Sequence, residues 1–250
     1  MPWKNTFIAV ISLLLLFPGN FSAQDSNPGS VQKTSKTKLL RTKEFKHTDV
    51  GSPAIAGTVT VTGGGFDITA GGADIWGIKD EFTFVYIEKT GDFDLAARVE
   101  SLTATHQYTK AGLMAREDLT PGSRHIYFQI FPDNKPRNKN NGGFEYQYRQ
   151  QTGGEMKAIY PDRYDGTPDF PVTFPDTWIR LKRAGNKFTG YTGTDGKSWK
   201  EYASFTLDLP EKVYLGPAVT SHDTTESATA KFRNIGEYLK PLRHEGVKAK

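Results

Sequence analysis

From residue 58 to residue 235 apolar positions recur every second residue, in runs of four to eight, and each run stops at a cluster of Gly, Asp, Asn or Pro. A period of two is that of a half-buried strand, and no segment carries the period of a helix. The pattern predicts strands over Thr58–Thr62, Phe66–Thr69, Phe82–Glu88, Phe93–Leu102, Ala111–Arg116, His125–Phe131 and Phe144–Gln151. It continues over Lys157–Tyr160, Trp178–Arg183, Lys187–Thr194, Tyr202–Leu207, Tyr214–Thr220 and Ala228–Ile235. Many short strands without an internal repeat predict a two-sheet sandwich. Two connections, Pro132–Gly143 and Pro161–Thr177, are long enough to suggest function or mobility.

The flanks read differently. Residues 1–23 place Lys4 before an apolar run, Phe7–Phe17, and then Pro18, Gly19 and Asn20, the plan of a secretory signal peptide. The run is short of the roughly 20 residues a membrane span needs. Cleavage is expected after Ala23 or a few residues earlier, which makes the mature protein secreted, extracellular or periplasmic, with no membrane insertion. Residues 24–47 are polar and basic and read as a flexible linker, and 237–250 as a basic tail, leaving 48–236 as the sandwich domain. The absence of cysteine excludes disulfides, thiol catalysis and Cys-based metal sites. The formal charge of +4 is confined to the flanks, and the domain itself is weakly acidic. A nucleic-acid partner, which wants a basic stripe on the folded face, is therefore not expected.

Alternation also separates faces. In KAGLMARE, Ala111, Leu113 and Ala115 form a small apolar face, while Lys110, Gly112, Met114 and Arg116 form the other. Phe144, Tyr146 and Tyr148 oppose Glu145, Gln147 and Arg149; Ile179 and Leu181 oppose Trp178, Arg180 and Lys182; His125, Tyr127 and Gln129 oppose Ile126, Phe128 and Ile130. Arg, Gln, Tyr, Trp and His on shared faces suit sugars, whose C–H patches lie on aromatic rings and whose hydroxyls take planar donors. The same residues are ordinary on the solvated face of a sandwich.

Catalytic strings are missing. There is no Glu-x-Asp-x-x-Glu, no GxSxG and no HExxH. No cofactor is expected, a structural calcium being possible at Asp49 or on the loop with Asp162, Asp165 and Asp169. TDGKSW departs from the Asp-box spacing and reads as an Asp-Gly hairpin turn with Trp199 packed beside it.

The ordered strings SPAIAG, GGADIWGIKDEFTFVY, GDFDLAARV, KAGLMARE, TWIRLKRAGNKFTGY, DGKSW and YLGPAVTSHD carry a family resemblance over about Thr48–Gly236. Together they resemble the bacterial extracellular branch of the concanavalin A-like lectin/glucanase superfamily, whose members are often labelled after a putative regulation-of-enolase protein. The resemblance implies an all-β, two-sheet antiparallel jelly-roll sandwich and a presumed carbohydrate-binding role. It also implies that Trp76 belongs to the scaffold and packs over the sheet; the other role open to Trp76 is a wall of the binding groove. The expectation is a non-catalytic, lectin-like protein binding a polysaccharide or glycan on a concave sheet through Arg116, Tyr146, Tyr148, Arg149, Trp178, Arg180 and His222. A glycoside hydrolase or lyase with acids drawn from separate strands, and a structural or protein-interaction domain, are the alternatives. Oligomeric state has no signature in the sequence.

Overall fold

Strand pairing is antiparallel throughout the computed structural model, which describes residues 36–135, 137, 142–160 and 170–239. The signal peptide, most of the linker, the basic tail beyond 239 and the Asp162/Asp165/Asp169 loop lie outside those residues. The chain runs through β1 (Lys36–Leu39), β2 (Lys46–Val50), β3 (Thr58–Thr62), β4 (Gly65–Gly72), β5 (Ile75–Trp76) and β6 (Lys79–Asp80). It continues through β7 (Phe82–Thr90), β8 (Phe93–Thr103), β9 (Lys110–Arg116), β10 (His125–Ile130), β11 (Phe144–Arg149) and β12 (Lys157–Ile159). The last strands are β13 (Thr177–Ala184), β14 (Lys187–Gly193), β15 (Lys200–Thr206), β16 (Lys212–Thr220) and β17 (Asp223–Leu239).

Two sheets result. One has the order β15-β14-β13-β8-β17-β4-β3, with β1 also paired to β17; the other has the order β12-β11-β10-β9-β16-β7-β2. Their facing sides interdigitate. Phe66, Leu95, Val99, Ile179 and Leu181 from the first meet Leu113, Phe128, Tyr146 and Leu215 from the second in one continuous buried core. The expected two-sheet antiparallel sandwich is therefore the fold found.

The linker is shorter than expected. Residues 36–47 are built into the fold: β1 pairs with the end of β17, a 3-10 turn covers Thr42–Glu44, and β2 pairs with β7. Glu237–Leu239, assigned to the tail, belong to β17. Backbone pairing at a sheet margin needs no apolar side chains, so the lysines here hid the strands. The Asp-Gly turn is also longer than expected. The β14–β15 connection spans six residues, 194–199, and Asp195 accepts hydrogen bonds from the amides of Lys197 and Ser198.

A second, smaller core lies on the outer face of the seven-stranded sheet. Phe82, Phe84, Tyr86, Met114, Tyr127 and Ala218 cluster there with Ile75. Ile75 belongs to the β5–β6 hairpin, which pairs only with itself and lies over this face. That hairpin positions the candidate site.

Candidate functional site

GGADIWG (71–77) carries the chain from β4 into the hairpin. Gly72 has φ +114°, and a Cβ there would stand 2.1 Å from the Glu81 carbonyl oxygen, so only glycine fits. Three residues then split by direction. Ile75 is fully buried and anchors the hairpin to the sheet. Asp74 and Trp76 turn instead toward an open pocket of about 240 Å³, completed by Tyr108, Lys110, Glu145 and His222. Trp76 is 38 % exposed. The scaffold role expected for it is thus corrected: the short β5 gives the indole no sheet to pack over, and it forms a pocket wall.

The pocket draws on separate elements. Lys110 opens β9, Glu145 sits on β11, Tyr108 precedes β9, and His222 occupies the turn between β16 and β17. Lys110 is 3 % exposed; its Nζ donates to Asp74 Oδ1 at 2.6 Å and to the Ile75 carbonyl at 3.0 Å, and lies 5.4 Å from the Trp76 ring centroid. His222 Nδ1 stands 3.2 Å from Asp74 Oδ2, without the alignment of a hydrogen bond. Burial alone would raise the Asp74 carboxyl, but the Lys110 charge and then His222 outweigh it, holding the group below its usual value. Asp74 is therefore ionised at neutral pH. His222 adopts φ +58°, an uncommon backbone for a non-glycine residue, and its ring stacks on His106 at 4.4 Å. Burial, and next the neighbouring His222, lowers the His106 pKa. Tyr108 lies 5.4 Å from the His222 ring. Across from Glu145 on β10, the buried Gln129 side-chain amide makes no hydrogen bond, and Gln147 donates to Glu145.

Of the seven residues expected to hold ligand, only His222 lines this pocket. Tyr146 and Tyr148 face the inter-sheet core: the Tyr146 hydroxyl donates to the Phe188 carbonyl, and Tyr148 stacks on Phe205 at 3.8 Å. Trp178 and Arg180 lie on the outer face of the other sheet, behind the core. There Arg180 holds Asp94 through two bonds of 2.5 and 2.6 Å, and stacks 3.8 Å from the Tyr238 ring.

Arg116 and Arg149 do share the pocket's sheet face, but both are fully buried under the hairpin. Arg149 grips Asp80 with two bonds of 2.7 Å and donates to the Gly77 carbonyl at 3.0 Å. Arg116 reaches the same carboxylate at 3.3 Å, and burial pulls its pKa down to about 10 against the opposing pull of Asp80. These arginines fasten the hairpin and present nothing to a ligand. Alternation could assign their face; it could not show that a two-residue strand would bring Asp80 to them.

His125 completes this cluster, fully buried with Nδ1 3.7 Å from Asp80 Oδ2. Burial, and then the two arginines acting against Asp80, push its pKa down to about 3. The folded state thus needs neutral His125, whereas the unfolded chain takes up a proton near pH 6.5. The unfolded state binds more protons between those values, so this contribution is complete above pH 6.5 and is lost as pH falls toward 3. Urea unfolding of the wild type should lose about 2–3 kcal/mol through this group between pH 7 and pH 4.5. His125→Gln should remove that part of the slope; an unchanged slope would refute the assignment.

The calcium candidates divide. Asp49 uses its carboxylate within the fold, accepting from Gly57 N at 2.9 Å and Thr83 Oγ at 2.8 Å. Among the described residues no three His, Cys, Asp or Glu side chains gather as a metal site.

No family model matches the sequence, and no curated protein matches it. Solved structures do match. A functionally unknown protein from Saccharomyces cerevisiae is 15% identical, with 81% of this chain covering 100% of that one at a TM-score of 0.58. The likeness is one of fold. A xylan β-1,4-xylosidase from Bacillus halodurans C-125 is 10% identical; 88% of this chain spans 41% of it, at a TM-score of 0.51. The carbohydrate-binding module CBM66 from Bacillus subtilis is 13% identical, over 77% of this chain and 95% of that one, at 0.48.

Proposed function

We propose that the chain is an exported, non-catalytic carbohydrate-binding protein that holds a glycan in the pocket of Asp74, Trp76, Tyr108, Lys110, Glu145 and His222. The observation that carries this reading is Trp76, an indole left part-exposed beside groups that bond hydroxyls. An exposed aromatic plane takes the C–H face of a sugar, and a carboxylate, an ammonium and a phenol take its hydroxyls. The hairpin that carries the ring is fastened by a buried ion cluster, so the platform is preorganised. The xylosidase with a matching fold acts, by its name, on a polysaccharide, which agrees with this reading. Export rests on the apolar run Phe7–Phe17 and the lone Lys4 before it.

The test is a glycan array on the protein starting at Gln24, followed by calorimetry on the best binder. Trp76→Ala should weaken binding at least about tenfold with little change in unfolding temperature. Undiminished binding by that variant would remove the pocket from consideration. A hydrolase is the second reading, favoured by one fact: two carboxylates, Asp74 and Glu145, line the same pocket. Release of reducing sugar from the bound polymer, abolished by Glu145→Gln, would put it first.

A further inference from the structure

The two sheets end in four outer strands, β15 and β3 on one and β12 and β2 on the other. An outer strand presents unpaired N–H and C=O groups to any other strand, and a lysine there is a usual guard. Lys200, Lys157 and Lys46 stand on β15, β12 and β2. β3 has no such guard. Its sequence is TVTVT, without charge, proline or bulge, and no charged residue occurs from Val50 to Phe66. Its register with β4 sets Thr62 against Gly65 across the two-residue turn Gly63–Gly64, then Thr60 against Asp67 and Thr58 against Thr69. Residues that flank a two-residue turn exchange both backbone bonds. The three threonines therefore bond to β4, and Val59 and Val61 turn their N–H and C=O groups to the open edge. Among the described residues nothing takes those groups, and the Val61 side chain is 58 % exposed.

We propose that β3 is the contact of a symmetric dimer, pairing antiparallel with β3 of a second copy. The segment GTVTVTG, 57–63, reads the same in both directions. Turned about Thr60, it sets Gly57 against Gly63, Thr58 against Thr62, Val59 against Val61 and Thr60 against Thr60. The two valine pairs exchange their free backbone bonds, and threonine meets threonine, a favourable cross-strand pair. The lack of charge fits the same partner: a two-fold pairing would bring any charge on the strand close to its own copy. Such a dimer uses up its edge and closes at two. The palindrome bears on assembly only because the fold leaves it at an edge. None of the pocket residues lies on β3, so the inference is independent of the glycan reading.

The experiment is sedimentation equilibrium of the protein starting at Gln24 over a concentration series. Paired five-residue strands bury less than the roughly 1,200 Å² of a standard interface, so a reversible dimer with a dissociation constant of about 1–100 μM is expected. Val61→Pro removes one outward N–H and keeps every bond to β4. Thr60→Lys, at an exposed position, sets two lysines face to face on the two-fold axis. Each variant should weaken the dimer at least about tenfold while keeping the circular dichroism of the wild type. A wild type that stays monomeric up to about 1 mM overturns the inference. A dimer that both folded variants keep is formed elsewhere and overturns it too. Weakening by Val61→Pro alone overturns the register about Thr60, and weakening by Thr60→Lys alone overturns the backbone pairing.

Discussion

Asp80→Ala should cost the fold about 3–5 kcal/mol, the usual penalty when one partner of a buried ion cluster is removed. Among the described residues Asp80 is the only carboxylate in side-chain contact at that site, where Arg116, Arg149 and His125 are all fully buried. Without it two guanidinium groups face each other in a closed space, each desolvated. Loss on this scale is a large fraction of the 5–15 kcal/mol that holds a typical domain. Urea unfolding followed by circular dichroism gives the magnitude. Tryptophan fluorescence gives the place, because the hairpin carrying Trp76 is tied through Asp80 and the Gly77 carbonyl. A red-shifted emission before global unfolding is expected. An unfolding free energy within about 0.5 kcal/mol of wild type would show that the cluster does not fasten the hairpin.

Gly112→Ala should cost about 3 kcal/mol, at the upper end of the range for overpacking. A Cβ at Gly112 would lie 2.3 Å from the Phe128 carbonyl oxygen and 2.5 Å from Gln129 Cα. The obstacles are backbone atoms of β10, a strand held on both sides, so no rotamer change relieves the clash. Strands β9 and β10 must separate instead. Glu145 sits opposite Gln129, and Lys110 lies two residues along β9, so the pocket should distort along with the sheet. Chemical denaturation and glycan affinity should therefore fall together. An alanine variant with normal stability would mean that the approach of the two strands is looser than described.

Much of the sandwich is legible in the chain because its strands are long enough to show alternation. Ala111, Leu113 and Ala115 do face the core, as do Ile179 and Leu181. The elements that escaped are those where alternation has no room or no meaning. β5 and β6 have two residues each. β1 and β2 are lysine-bearing strands at a sheet margin, and their polarity matched that of a linker. The same limit explains the site. Alternation grouped Tyr146 and Tyr148 with Phe144, and that phenylalanine was the mark of a core-facing row. It also placed Arg116 and Arg149 on the pocket's sheet face, but it carries no information on long-range partners. Asp80 meets Arg149 across 69 positions and Asp94 meets Arg180 across 86. Half of the pocket lining, Asp74, Tyr108 and His222, comes from connections, where no periodicity exists; the sequence signals there were His222 and a tryptophan following a glycine pair that only close backbone packing required.

The pairing of β1 with β17 sets Lys36 opposite Leu239. Across the described residues the chain therefore closes on itself, and its strand neighbours would survive if the ends were joined and the backbone opened elsewhere. The sandwich is a ring with one cut. A protein cut at another connection would keep the same two sheets and the same pocket walls under a different order of strands. Kinship of that kind is invisible to any comparison that reads both chains from first residue to last, and it becomes visible once one of them is rotated.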